Sequence, residues 1–269
     1  DLFETYSSSK AFEEDVGVSG LGLAAVKPEG GAVSYDTMQQ GYLTRYQHTN
    51  YALGFIVTKE AFDDDQYDVV AERRAKALAF SMRQTKEINV ANLYNRAFSS
   101  TYTGGDGLEM CSLLHANYSG GTWANELAVA ADLSEASLEQ AYIDISKFTN
   151  DRGLKIAVMP QSLIIPVELQ FEAERILQSV LESGTADNDV NAIRTMGSIP
   201  KVIVNHYLTD TDAWFVQTAI PNGMKTMMRK AATFSIDNDF DTSNAKFKAQ
   251  ERYVPGFTDA RCMYGNHGL

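Results

Sequence analysis

The longest uninterrupted pattern of polar and apolar positions runs from Asp63 to Phe98, a stretch without Pro or Gly and rich in Ala, Arg, Lys, Glu, Leu and Met. Val70, Ala77, Leu78, Ser81, Thr85, Ile88, Ala91 and Tyr94 recur there at spacings of three, four and seven. This predicts a helix with one narrow apolar stripe and a wide charged face, Leu78 and Ile88 turned to the core. Asp63, Asp64 and Asp65 stand at its start, where carboxylates cap free N–H groups and suit the helix dipole. At the standard rise such a helix reaches roughly 50 Å. It needs partners along its length, from its own chain or from neighbouring copies.

Ahead of the helix the period is two. Tyr42, Thr44, Tyr46 and His48 alternate, then Leu53, Phe55 and Val57, and the break at Thr49-Asn50 predicts a long hairpin over Ser34–Thr58. Such a hairpin either packs on its own domain or lies over a neighbouring subunit, because two-stranded edges invite pairing. Asp1–Pro28 lacks periodicity and reads as an irregular lead-in, and Ser99–Leu127, with two glycine clusters, reads as loop.

Beyond Leu127 helix and strand patterns alternate. Ser134 opens a helix carrying Leu138, Ala141, Tyr142, Ile145 and Phe148. Leu154–Met159 follows as a buried strand stopped by Pro160, then a helix over about Ile165–Glu182 with Leu169, Phe171, Ile176, Leu177 and Val180. Ser183–Val190 is a polar acidic loop. Lys201–Tyr207 and Ala213–Ala219 read as a hairpin turning at Thr209–Asp212, and this middle region reads as its own subdomain. Thr233–Asp237, Lys246–Val254 and Asp259–Tyr264 are closing strands.

Composition narrows the class. With 269 residues, 44% hydrophobic and 22% charged, the chain is long enough for one large or two modest domains with a real core. The net charge of −12 argues against tight binding of nucleic acid, whose phosphates select clustered Lys and Arg. No apolar run has the length of a membrane span. Two cysteines, Cys111 and Cys262, are too few for a disulfide framework, so a reducing compartment is the default. The chain opens on Asp1 rather than Met, which suggests a processed or trimmed N-terminus.

Motifs for catalysis fail one by one. Gly20-Leu21-Gly22-Leu23-Ala24-Ala25 fits a dinucleotide fingerprint, but no strand precedes it and Pro28 and Gly30-Gly31 break the helix that must follow. Gly17–Leu21 misses the fifth position of a nucleophile elbow, and Gly223-Met224-Lys225-Thr226 lacks the glycines of a phosphate-binding loop. Cys111 and His115 lie four apart, compatible with one helical face, but a structural zinc site needs four ligands. Asp237–Asp241 imitates a calcium loop, with Thr242 where Gly is required and Lys248 where a bidentate Glu is required, so an acidic hairpin turn is the better reading. No catalytic residue, cofactor site or metal site is expected.

The order of parts resembles the major capsid protein of tailed bacteriophages, the Hong Kong 97-type fold, with the Mu-like head subunit as the nearest look. HTNYALGFIVTKEAFDDD resembles that family's hairpin-to-spine passage. CSLLHANYSGGTWANEL resembles its loop segment, with His115 and Asn117 at matching places. VMPQSLIIPVELQFEAERIL resembles its strand–Pro–helix step, KVIVNHYLTDTDAWFVQT its hairpin with Trp214 as the aromatic, and FKAQERYVPGFTDARCMYGNHG its final strands. The resemblance implies an α+β fold divided into an N-terminal arm (1–29), an extended hairpin loop (30–62), a peripheral domain with the spine helix (63–133), an axial domain (134–225) and a return of the peripheral domain (226–269).

It further implies a homo-oligomer of pentamers and hexamers forming an icosahedral shell in the virion, assembled in the host cytoplasm. The shell would enclose double-stranded DNA without sequence-specific binding, work with portal, scaffold and decoration proteins, and have no membrane partner. Tyr42, Tyr46, Tyr51, Phe55, Lys59, Asp187 and Asp189 are then the candidate inter-subunit contacts. Some relatives cross-link a Lys to an Asn; Lys59 and Asn50 are present, but their spacing assigns no such pair. Two rivals remain: an encapsulin-like compartment for an enzyme cargo, and a soluble α/β enzyme built on Ser134–Ala219.

Overall fold

The structure is a computed structural model that describes residues 2–64, 67–181, 190–197, 199, 201–239 and 241–269, with the side chains of 62 and 67–71 outside the description. In chain order the elements are strands β1 (Glu4–Ser7), β2 (Phe12–Val18), β3 (Gln40–Gln47) and β4 (Thr49–Val57), and helices α1 (Lys59–Asp63) and α2 (Tyr67–Asn95). Then come β5 (His115–Ala116), β6 (Thr122–Trp123), α3 (Glu135–Ser146), β7 (Pro160–Ile165), α4 (Gln170–Gln178) and α5 (Ala192–Met196). The chain closes with β8 (Val202–Val204), β9 (Trp214–Thr218), β10 (Met224–Asn238), β11 (Ala245–Phe257) and β12 (Met263–Asn266). They form two compact units. Unit one joins Asp1–Glu13, Arg45–Leu93 and Lys225–Gly256; unit two joins Glu14–Thr44, Tyr94–Met224 and Phe257–Leu269.

Unit one is a four-stranded sheet, ordered β1-β10-β11-β4, with α2 packed on it. The β4–β11 ladder is antiparallel and runs from Thr49 opposite Tyr253 to Val57 opposite Ala245. Alternation along β11 turns Phe247, Ala249, Glu251 and Tyr253 to one face. There Tyr51 stacks on Tyr253 and Phe55 on Phe247, with ring centroids 4.8 and 4.7 Å apart. Leu78 and Met82 of α2 cover Ala249 and both β4 aromatics. One turn further along, Lys86 Nζ meets Glu251 Oε1 at 2.8 Å and Asn89 donates to Tyr253 Oη at 3.0 Å.

The long helix therefore exists, but its buried stripe differs from the expected one. Positions 78, 82, 86 and 89 share the sheet-facing side, whereas Ala77 and Ile88 are exposed, Ile88 by 40%. The helix holds 29 residues, about 43 Å at the standard rise. The acidic run does not open it: Asp63 closes α1, whose Asp64 N–H bonds back to Glu60, and Asp65 lies outside the described residues.

The expected Ser34–Thr58 hairpin is not formed. β3 pairs with β2 and β4 pairs with β11, so the chain changes sheet at His48. The lead-in is correspondingly not irregular, since β1 and β2 both lie in it. A two-stranded hairpin buries only one side of each strand, and distant partners satisfy more backbone and more side chain.

Unit two is built on a second four-stranded sheet, β12-β9-β7-β8, in which β7 is parallel to β8 and antiparallel to β9. Its core gathers Leu138, Ala141 and Ile145 of α3, Ala173, Ile176 and Leu177 of α4, and Leu163, Ile165, Trp214, Val216 and Tyr264 of the sheet. Ser134 caps α3 as expected: it accepts from the Ser137 N–H while the Ser137 hydroxyl accepts from the Ser134 N–H. Three expectations fail here. The strand is Pro160–Ile165 rather than Leu154–Met159, because Ala157 takes φ +49° and breaks the extended run, while a proline is tolerated as a first strand residue.

The following helix starts only at Gln170, Ile165 is a strand residue, and Phe171 and Val180 face solvent. β8 and β9 are no hairpin, because β7 lies between them. The final strand begins at Met263 after a 3₁₀ turn over Ala260–Cys262.

Leu78→Asp should lower unfolding stability by about 3 kcal/mol or more, because it buries a carboxylate without a partner. Ile88→Asp should cost less than about 1 kcal/mol. Chemical denaturation of the two variants checks both.

Candidate assembly surfaces

The surfaces that the fold leaves uncovered among the described residues are the candidate functional surfaces. The β2–β3 ribbon ends where Ser19 N–H donates to Gln39 O and Gln39 N–H donates to Ser19 Oγ, each at 2.9 Å. Residues 20–38 extend beyond it as a loop. Asp36 ties this loop down: its carboxylate accepts the Gly22 N–H at 2.8 Å and pairs with Arg152 at 2.9 Å. The backbone N–H groups of Gly22 and Thr37, and then Arg152, hold the Asp36 carboxyl below its ordinary range. Outside that anchor the loop is apolar and bare, with Val26 96% and Tyr35 95% exposed and Leu21, Leu23, Val33 and Met38 exposed as well.

At its base the ribbon is held by close approach. A Cβ on Gly41 would lie 2.1 Å from the Tyr118 ring, so only glycine admits that ring, which also packs on Tyr42 at 4.6 Å between centroids. Beside it lies a cavity of about 310 Å³ lined by Asp15, Tyr42, Tyr118, Trp123, Asp259 and Arg261, among others.

Arg261 is buried and directs its donors to loops of unit two. It donates to Thr149 O at 2.9 Å and Asn117 Oδ1 at 2.8 Å, and pairs with Asp151 at 3.0 Å and Asp259 at 3.3 Å. Its guanidinium lies 4.4 Å from the centre of the Trp123 ring, and His115 stacks on the same indole at 4.5 Å. His115 Nδ1 is 2.6 Å from Asp106 Oδ2. Burial raises the Asp106 carboxyl, but the hydrogen bond and charge of His115 outweigh it and the group titrates below its ordinary range.

The Arg261 donors, the Asp106, Asp151 and Asp259 carboxylates and His115 Nδ1 are paired within the cluster, while His115 Nε2 is buried without a partner among the described residues, and the cluster pins loops. Among the described residues no three His, Cys, Asp or Glu side chains gather as metal ligands. Cys111 and His115 are not on one helical face: both are buried in loop and short-strand structure, and burial pushes the Cys111 thiol up.

Of the contact residues proposed from sequence, Tyr46 is buried with its ring against Gly256. Tyr42, Tyr51 and Phe55 are half-buried and pack on aromatic rings within their own units, Tyr42 tilted and the other two stacked, and Lys59 is exposed. Asp187 and Asp189 lie outside the described residues. Residues 20–38 divide between the expected lead-in (1–28) and the expected hairpin loop (30–62), and the structure joins them in one loop that connects β2 to β3.

The sequence model of the phage capsid protein family matches residues 42–266. The chain belongs to the phage capsid protein family. No characterised protein matches the sequence directly. Its fold is that of solved capsids. It is similar to the capsid of cyanophage P-SCSP1u (10% identity, 100% of this chain and 87% of the other, TM-score 0.59). It is also similar to the capsid of a native GTA particle (13%, 100% and 88%, 0.55) and to a virus-like particle from Pyrococcus furiosus (11%, 98% and 90%, 0.55).

This capsid protein therefore has the Hong Kong 97-type fold that its parts resemble, and its role is structural. Copies assemble into the shell of a virion. Its polar cluster around Arg261 belongs to the subunit's own stability. Arg261→Leu should cost about 3 kcal/mol, because it strands two carboxylates and a carbonyl that the guanidinium now satisfies. Denaturant midpoints of the purified subunit check this.

Proposed function

We propose that this capsid protein is the major head subunit, which self-assembles as pentamers and hexamers into an icosahedral shell around phage double-stranded DNA. The observation that carries this reading is the family match over 42–266 combined with a ribbon whose apolar tip is left exposed among the described residues. Exposed Val26 and Tyr35 gain little from water and much from burial; ~25 cal/mol per Å² of apolar surface favours docking on a neighbour. Residues 14–44 thus act as the arm that crosses to the next subunit, with unit one as the peripheral domain and unit two as the axial domain.

Lys59, Asp187 and Asp189 remain contact candidates. The paired aromatics of β4 act inside the subunit first. The net charge of −12 fits enclosure of DNA without sequence-specific grip. Portal, scaffold and decoration proteins complete the particle, which forms in the host cytoplasm.

Electron microscopy of the expressed protein, with nucleic-acid content measured on purified particles, tests the reading. Closed shells are expected, and particles that carry protein cargo but no genome from infected cells would favour a storage compartment instead. Replacing residues 20–38 by a two-residue turn between Ser19 and Gln39 should leave the unfolding midpoint unchanged and reduce closed shells at least tenfold. Normal shells from that variant would remove the arm from the assembly.

A further inference from the structure

Strand β10 has 15 residues, yet β1 pairs with only four of them, Lys225 to Met228. In the order β1-β10-β11-β4 its other side is taken by β11. From Arg229 to Asn238 the side facing β1 therefore has no hydrogen-bonded strand among the described residues, and every residue of that stretch is exposed. The orientation of this edge follows from one bond. Ser8 N–H donates to Met228 O at 2.8 Å, so the Met228 carbonyl points to the β1 side. Strand groups alternate with a period of two, and Lys230, Ala232, Phe234 and Ile236 direct their N–H and C=O groups to the same open side.

Native edges are normally blunted by charge or proline. Here Ala231–Ile236 is uncharged, lacks proline and contains the strand formers Thr233, Phe234 and Ile236, and the charges stand only at the ends: Arg229 and Lys230 at one, Asp237 at the other. That distribution is self-complementary. A second copy laid antiparallel brings the cationic end of each strand against the anionic end of the other, whereas a parallel copy sets like against like.

We propose that two copies of this capsid protein join through the open β10 edge, antiparallel across a twofold axis with Thr233 opposite Thr233. In that register Ala232 faces Phe234 and Lys230 faces Ile236, both as doubly hydrogen-bonded pairs, a small residue beside a large one in the first case. Arg229 stands opposite Asp237 twice, once on each side of the axis. The two four-stranded sheets become one continuous sheet. The pairing takes from the shell reading only the fact that copies meet, and it makes no use of the arm.

Thr233→Cys tests it, in a chain whose own Cys111 and Cys262 are buried thiols. Residues opposite each other in a non-hydrogen-bonded antiparallel pair have Cα atoms about 4.5 Å apart, within disulfide range. Mild oxidation of assembled particles should convert most of that variant to a covalent dimer, while Ala231→Cys and Ser235→Cys remain single chains. Arg229→Asp and Asp237→Arg should each reduce assembly at least tenfold, and mixing the two deficient proteins should restore it, since every facing pair is then opposite in sign. Closed shells of the Thr233→Cys variant whose introduced thiol stays reduced would overturn the pairing and leave the shell reading intact. Covalent dimers from a protein that never forms shells would do the reverse.

Discussion

Hydrogen-bond pairing between strands from opposite ends of the chain is the constraint on which the rest of the molecule depends. β11 is flanked on both sides, by β4 and by β10, and the nine-residue β4 meets it in an unbroken antiparallel register. Buried backbone groups must be paired; the neighbouring β10 does this on one side of β11, and the sequence-distant β4 does it on the other. Once Thr49–Val57 lies on Ala245–Tyr253, the aromatic stacks of Tyr51 and Phe55 follow, and so does the surface that Leu78 and Met82 cover. Between these strands the chain supplies α2 and β10 to the first unit and Tyr94–Met224 to the second, and the last strand, β12, returns to complete the second unit's sheet.

Charge is divided as unevenly as the chain. Unit one has 14 Lys and Arg against 14 Asp and Glu, whereas unit two has 9 against 21, so the entire excess of 12 negative charges belongs to unit two. A subunit of this kind presents two different electrostatic surfaces to whatever it meets, with interactions that fade over about 8 Å at physiological salt. Part of the acid is used internally, where Asp151 and Asp259 hold Arg261 and Asp106 holds His115. Satisfied in this way, buried polar groups specify one arrangement of loops without asking for a ligand.

For a shell protein the surfaces that matter are those the monomer cannot finish. Two stand out for different reasons. The 20–38 loop exposes apolar side chains that its own unit does not cover, and the outer edge of β10 exposes backbone groups that no described strand satisfies. The first is an appeal to the hydrophobic effect, the second to directional hydrogen bonds. The two proposed contacts divide the work, the loop supplying affinity and the edge supplying register.

Local rules were enough for the parts of this fold whose reasons are local. The α2 helix was legible in a run of strong helix formers without breakers, the α3 start in the Ser134 cap, and the buried positions of Leu78, Ile145 and Ile176 in periodicity. The resemblance of five ordered segments also reached the correct family. What the chain could not disclose was partner choice. The alternating residues of 42–57 read equally well as a hairpin or as two strands with separate mates, and 201–219 did the same. Pairing is decided by which distant segment buries more area and satisfies more backbone, a quantity that exists only in three dimensions. For the same reason Ile88 was misplaced on the stripe, and the bare loop and open edge became visible only once everything else had found its partner.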